Sequence, residues 1–154
     1  MERIIRPVRE DEYDDAMELA WQVFQLFNAP EYTEEGAVKF RQFLKDEIIH
    51  KLFYAGEYRI FGFFVDDVIE GMISLRNKNH ISLLFVDRDY QNEGVGFRLL
   101  TYLSQYCLEW EEQSCITVNS SPYAVGFYHK FGFCDTDVPQ FVDGISYTPM
   151  KYML

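Results

Sequence analysis

The chain has 154 residues, of which 48% are hydrophobic, 25% charged and 18% aromatic, and its formal net charge is −11. That length is enough to bury a full core in one domain, and the composition is that of a globular chain rather than a disordered one. The negative charge argues against nucleic acid, whose phosphates favour Lys and Arg; no apolar run reaches membrane-spanning length and the start MERIIRPVRE has no signal-like apolar region, so the expected compartment is the cytoplasm.

Residues 4–8 alternate as a short first strand, with Pro7 suited to an edge. Asp11 is placed to cap a helix whose stripe, Ala16, Leu19, Ala20, Val23, Phe24 and Phe27, ends near Asn28. Ala29-Pro30 interrupts it. Thr33, Glu34 and Glu35 then open a second helix whose inner face is Ala37, Phe40, Leu44 and Ile48. From Tyr58 the period changes. Residues 58–65 and 68–75 are strands joined by a tight turn at Asp66-Asp67. Arg76 to Asn79 is a second turn, and residues 81–86 form a third antiparallel strand.

Asp87 to Gln91 is polar and turn-like. Gly94-Val95-Gly96 then opens a helix with Leu99, Leu100, Leu103 and Cys107 on one face, carrying on to Glu112. Residues 115–118 form a short buried strand, reached through that helix and hence parallel to the strand before it. Ser121 is placed as a helix cap with Pro122 at the first helical position. Ala124, Phe127, Tyr128 and Phe131 continue that helix, and Gly132 ends it. Residues 133–138 and 145–153 are the last strands, turned at Asp143-Gly144, with Pro149 marking a bulge or an edge. Cys107, Cys115 and Cys134 are odd in number and lack metal-ligand spacing. They read as reduced core thiols, and no metal is expected.

A strand feeding glycines and a helix start is a place to bind an anion. Glycines allow close backbone approach, and the first helical turn has N–H groups without internal partners. A nucleotide-hydrolase phosphate loop needs a Lys-Ser/Thr pair after its last glycine, where Phe97-Arg98 stands. The dinucleotide fingerprint needs a small residue at position 99, where Leu stands, and a tighter turn off the strand.

The segment Gln91-Asn92-Glu93-Gly94-Val95-Gly96 instead resembles the pyrophosphate-binding Q/R-x-x-G-x-G/A loop of the GCN5-related N-acetyltransferase family. A second segment, Val118-Asn119-Ser120-Ser121-Pro122 through Phe127-Tyr128-His129-Lys130-Phe131-Gly132-Phe133, is similar to the family's next strand and helix. The order β-α-α-β-β-β-α-β-α-β-β matches the family over nearly the whole chain. The resemblance implies an α/β (α+β) fold, with residues 1–154 as a single N-acetyltransferase domain of the acyl-CoA N-acyltransferase type. Its sheet would be mixed and mostly antiparallel, with helices on both faces.

The resemblance also implies acetyl-CoA (coenzyme A) as co-substrate and direct acetyl transfer in a ternary complex to an amine of a small molecule or a protein. No nucleic acid or membrane takes part; the edge strands are compatible with a homodimer. Position by position, Leu84, Phe85 and Val86 would pair with pantetheine amides like an added strand. One backbone N–H there would face the thioester oxygen. Gln91, Asn92, Glu93, Gly94, Val95 and Gly96 would wrap the pyrophosphate. Asn119 would hydrogen-bond the pantetheine arm or the acceptor, and Tyr128 would point at the sulfur.

Two positions depart from the family pattern. Asn92 stands where Gly is frequent, and Asn tolerates a left-handed backbone. Glu93 stands where a basic residue is frequent, and its carboxylate must turn to solvent. Deprotonating an alkylamine of pKa about 10.4 at pH 7 costs roughly 4–5 kcal/mol, so a base or water relay is needed. His80 and Asp87, which flank the strand over 81–86, and Glu70 on the neighbouring strand are the candidates. Glu31, Glu34 and Glu35 are placed to meet a cationic acceptor. A phenol of pKa about 10 stabilises a leaving thiolate of about 8.5 more easily by a hydrogen bond than by full proton transfer. An alternative on the same fold is an acyl-CoA-binding sensor or interaction module without catalysis. Glu93 and the missing base favour it; Tyr128 and Asn119 disfavour it.

Overall fold

A computed structural model describes all residues 1–154. Strand β1 (Arg3–Pro7) is followed by helices α1 (Tyr13–Phe27), α2 (Glu34–Leu44) and α3 (Glu47–Tyr54). Strands β2 (Tyr58–Val65), β3 (Val68–Arg76) and β4 (His80–Val86) come next, then α4 (Val95–Glu109), β5 (Cys115–Ser120) and α5 (Val125–Phe131). Three strands close the chain: β6 (Cys134–Asp135), β7 (Gln140–Val142) and β8 (Ile145–Met153). The sheet runs β1-β2-β3-β4-β5-β8-β6, with β7 also on β8, and only β4–β5 is parallel. Helices cover both faces, as expected. α4 and α5 pack on a core containing Phe63, Ile73, Leu99 and Leu103, and α1 packs on one containing Tyr58, Ile60, Phe64 and Met72. Burying each such Leu or Phe contributes about 1.5–3 kcal/mol. No helix is long and apolar enough to cross a membrane.

The tight turns form where the sequence places them. Asp66 and Asp67 have φ of 48° and 69°, and Asp143 and Gly144 of 54° and 78°. Positive φ at both central positions matches the twist of the flanking strands. Other expectations are corrected. Asp11 does not cap α1. Residues 10–12 form a 3-10 turn, and Glu12 accepts the Arg9 N–H at 2.9 Å instead. The second helix does not run through Ile48. It stops at Leu44, and Asp46 starts α3 by accepting the Ile48 N–H at 2.7 Å; a short Asp side chain competes for backbone donors and resets the helix. α4 ends at Glu109, with Trp110 as its cap, rather than at Glu112. Ser121 does not cap α5, because a 3-10 turn at Pro122–Ala124 intervenes.

Of the strand expected over 133–138 only β6 forms; β7 follows it outside that span, on the same edge of β8. Between them lies Pro149, whose missing N–H interrupts the ladder. Only Cys107 is a fully buried thiol; Cys115 is partly buried and Cys134 exposed.

At the edge strand, Arg6 grips Glu12 with two hydrogen bonds of 2.8 and 2.7 Å. The guanidinium, followed by the Arg9 N–H among the favourable causes, outweighs desolvation and holds the Glu12 carboxyl down from 4.5 to about 2. Because the folded value is depressed, this stabilisation is complete above the ordinary carboxylate range and fades as pH falls from about 4.5 towards about 2. Glu12→Gln is expected to cost about 1–2 kcal/mol at neutral pH. Urea unfolding of both proteins should show that difference shrinking steadily on acidification.

Candidate active site

β4 and β5 are joined over only two residue pairs, His80–Thr117 and Ile81–Val118. Beyond them β4 stays with β3, and β5 with β8, so the parallel pair opens. Ser82 is the local cause. Ser74 pairs with Leu83 and Leu75 with Ile81, leaving Ser82 as an extra residue in β4. Such a bulge bends its strand and increases its twist. It is pinned from beneath by Tyr58, 1% exposed, whose hydroxyl lies 2.7 Å from Ser74 Oγ and donates to Ser82 Oγ at 2.9 Å. The bulge also exchanges faces. Ile81 belongs to the α4 core, yet Leu83 and Phe85 pack on the α1 side, and Leu84 and Val86 on the α4 side.

The opening is a groove of about 770 Å³ that passes from the α1–α2 face, at Val23, Asn28 and Phe40, to the α4–α5 face, at Gly94, Phe127 and Lys130. Leu84, Phe85, Val86, Gln91, Asn92, Gly94, Val95, Gly96, Asn119 and Tyr128 all line it. Glu93 does not; its carboxylate turns to Arg3, 3.0 Å from Nη1.

The loop before α4 presents unused backbone donors. Asn92 and Gly94 have φ of 64° and 78°, the left-handed backbone expected of Asn at this position. None of the N–H groups from Asn92 through Phe97 has an acceptor in the chain; the next one, of Arg98, bonds the Gly94 carbonyl at 3.0 Å. Consecutive free N–H groups ahead of a helix make an anion-binding concavity. A Cβ on Gly94 would meet nothing within 4 Å, whereas one on Gly96 would lie 3.0 Å from the Phe127 ring. Gly96 is thus needed for close approach of α4 and α5. Gln91 braces the loop: Nε2 donates to the Val86 carbonyl at 2.9 Å, and Oε1 accepts from Tyr123 at 3.4 Å.

Tyr128 is 4% exposed and packs between Phe127 and Phe133, with ring centroids 5.2 Å away on each side. Burial alone raises its phenol well above the ordinary value, with no hydrogen-bond partner offsetting it. The hydroxyl stays protonated and can donate a hydrogen bond.

The three candidate bases lie outside the groove. His80 Nδ1 is 2.8 Å from Thr117 Oγ1, and burial lowers the ring to about 4, so it is neutral at pH 7. Glu70 is itself an extra residue in β3, between the Phe63–Gly71 and Phe64–Ile69 pairs. Burial, then Asp87 and Asp89, raises its carboxyl. Glu31, Glu34 and Glu35 are exposed and also outside the lining.

Residues not singled out beforehand complete the site. Asn28, 7% exposed, donates from Nδ2 to Ser121 Oγ at 3.2 Å, tying the end of α1 to the start of the β5–α5 connection. Phe27 and Tyr123 pair across the same gap at 5.6 Å. Thr33 donates its N–H and its hydroxyl to the Gly144 carbonyl, both at 3.3 Å, which docks the β7–β8 turn on α2; a Cβ on Gly36 would collide with that carbonyl. The one available signal was a polar Asn ending an apolar stripe at Phe27.

The pinned bulge is open to test. Tyr58→Phe is expected to cost about 1–2 kcal/mol by leaving the buried Ser74 hydroxyl and the half-buried Ser82 hydroxyl short of a partner. Amide exchange should quicken at Leu83 to Phe85 more than in β2.

Comparison with known proteins agrees with this arrangement. Residues 28–154 match the family model for the Acetyltransferase (GNAT) domain. No curated protein sequence matches the chain. Among solved structures, a GCN5-related N-acetyltransferase from Rhodopseudomonas palustris is 22% identical, covering 100% of this chain and 97% of that one with a TM-score of 0.85. The PaiA N-acetyltransferase from Thermoplasma acidophilum, solved in complex with coenzyme A, is 19% identical over 100% of both chains, with a TM-score of 0.80. An aminoglycoside 6′-N-acetyltransferase complexed with coenzyme A is 14% identical, covering 97% and 96%, with a TM-score of 0.67. At these identities the likeness is one of fold.

Proposed function

The chain belongs to the GNAT acetyltransferase family, and from that premise we propose that the groove binds acetyl-CoA and that the acetyl group passes directly to an amine in a ternary complex. The observation that carries this reading is the run of free N–H groups from Asn92 through Phe97 at the end of a split parallel strand pair. Coenzyme A in two structures of the same fold supports it. Residues 1–154 are read as one acetyltransferase domain, supported by fold likeness along the whole chain.

The residues present suit the coenzyme. Asn92, Gly94, Val95 and Gly96 would hold the pyrophosphate through N–H groups and the helix start. Glu93 does not oppose it, because its charge is paired with Arg3 and faces away from the groove. Gln91, with both ends of its amide engaged by the chain, would shape the loop rather than reach the ligand. The open edge of β4 at Leu84, Phe85 and Val86 would take pantetheine amides as an added strand, with Asn119 opposite on β5. Acetyl-CoA supplies the thioester: the amine–carbon bond forms, the carbon–sulfur bond breaks with its electron pair left on sulfur, and the amine proton ends on that sulfur or in solvent. The Tyr128 hydroxyl would stabilise the leaving sulfur by hydrogen bonding without giving up its proton, since burial makes it a weaker acid than a free phenol.

Calorimetry with acetyl-CoA is expected to show micromolar binding by the native chain and none by Gly94→Trp with native circular dichroism. Absence of binding by the folded native chain overturns the reading. Tyr128→Phe is expected to lower kcat roughly 10–100-fold with little change in KM, the worth of a hydrogen bond to a charged group. Its unfolding temperature should not fall, because the hydroxyl has no partner in the chain.

A further inference from the structure

At its α1–α2 end the groove carries no charged side chain. Val23, Tyr32, Phe40 and Phe85 line it together with Asn28. Phe40 stacks on Phe24 at 4.2 Å and lies 5.8 Å from Phe85, which gives a packed aromatic wall. Charged groups on the surrounding elements are engaged elsewhere or outside the lining. Glu18 of α1 pairs with Arg41 of α2 at 3.6 Å, and Glu31, Glu34 and Glu35 are exposed. Lys130, the charged residue that does line the groove, stands on α5. Asn28 supplies the polar contact. Its Nδ2 is taken by Ser121, while its Oδ1 receives no hydrogen bond from the chain.

Building on the acetyl-transfer reading above, we propose that the acceptor is a weakly basic primary amine carried on an apolar or aromatic body, and that Asn28 orients its nitrogen. An ammonium entering this end loses water and meets no carboxylate in return, whereas a neutral amine does not carry that penalty. At pH 7 an amine of pKa about 10.4 is neutral in roughly one molecule in 2,500, but an α-amine of about 7.7 in roughly one in six. A neutral nitrogen has two N–H bonds and a lone pair. One N–H donates to Asn28 Oδ1, which aims the lone pair at the thioester carbon. As the carbon–nitrogen bond forms and the carbon–sulfur bond breaks, one nitrogen proton passes to the leaving sulfur. The products are the N-acetyl amide and the free thiol, with no external base required. That agrees with His80, Asp87 and Glu70 all standing outside the groove.

The test compares initial rates of thiol release at pH 7 with saturating acetyl-CoA. 2-Phenylethylamine is paired with its β,β-difluoro analogue, which has nearly the same shape and lower basicity; spermidine is the polycationic comparator. Phenylalanine amide and 4-ethylaniline separate an α-amine source from an arylamine. The difluoro amine is expected to exceed its parent in kcat/KM by about 10-fold or more, in line with its larger neutral fraction, and both to exceed spermidine. Asn28→Asp, in which Ser121 can donate where it now accepts, keeps the acceptor oxygen but adds a charge and should shift the preference about 10-fold towards spermidine; Asn28→Leu, which removes the oxygen, should lower the rate with the difluoro amine about 10-fold. Acetyl-CoA affinity by calorimetry should be unchanged in both variants. Retained acetyl-CoA binding with spermidine preferred, or with none of the weakly basic amines acetylated, overturns this proposal alone. Lack of acetyl-CoA binding by the native chain overturns the acetyl-transfer reading on which it rests.

Discussion

The site depends on a sheet that comes apart at one seam while every other seam holds. β4 and β5 share two residue pairs, but β4 is paired along its length with β3, and β5 with β8. Each wall of the groove is therefore anchored by its other neighbour, and the gap needs no separate support. An unpaired strand edge inside a sheet leaves backbone donors and acceptors without partners. A ligand with amides of its own is the natural complement to such an edge. The Ser82 bulge, held by Tyr58 and Ser74, bends β4 at the residue where pairing ends. Of these hydroxyls those of Tyr58 and Ser74 are buried, where an unpaired hydroxyl is costly, and each has a partner here.

Charge is arranged against the grain of the chain as a whole. A protein of net charge −11 presents a groove whose lining contains one lysine, backbone N–H groups and aromatic rings. The Arg3–Glu93 pair, each side chain about a third or more exposed, adds little to stability. Its effect is to keep a carboxylate turned away from the loop. Burial does the remaining work on protonation states. It keeps the Tyr128 phenol protonated and the His80 ring neutral, so neither changes charge near pH 7.

The α1–α2 side of the groove is held by contacts between distant parts of the chain. Asn28 reaches Ser121, Phe27 meets Tyr123, and Thr33 reaches Gly144. These contacts fix the shape of that end of the groove, which the side chains of Val23, Phe40 and Phe85 line. Ser121 opens the 3-10 turn that precedes α5, and its hydroxyl accepts from Asn28.

Local chemistry was legible in the amino-acid order. Period-2 and period-3.6 patterns located the strands and most of the helices, because burial on one face leaves that signature directly. Asp66-Asp67 and Asp143-Gly144 announced their turns, and Asn92 and Gly94 their left-handed backbone, since few residue types accept positive φ. The glycine loop, Asn119 and Tyr128 were singled out by short motifs that resemble the family's, and the structure brings them to one groove. What the order of residues did not contain was competition between segments far apart. Pro149 cut a strand on its neighbour's side. The pairing of Glu93 with Arg3 spans 90 residues, and that of Asn28 with Ser121 spans 93. Whether a carboxylate faces the groove or a guanidinium, and which side chains line the α1–α2 end of the groove, depends on contacts that exist only once the sheet has closed around them, so the tertiary structure alone decided them.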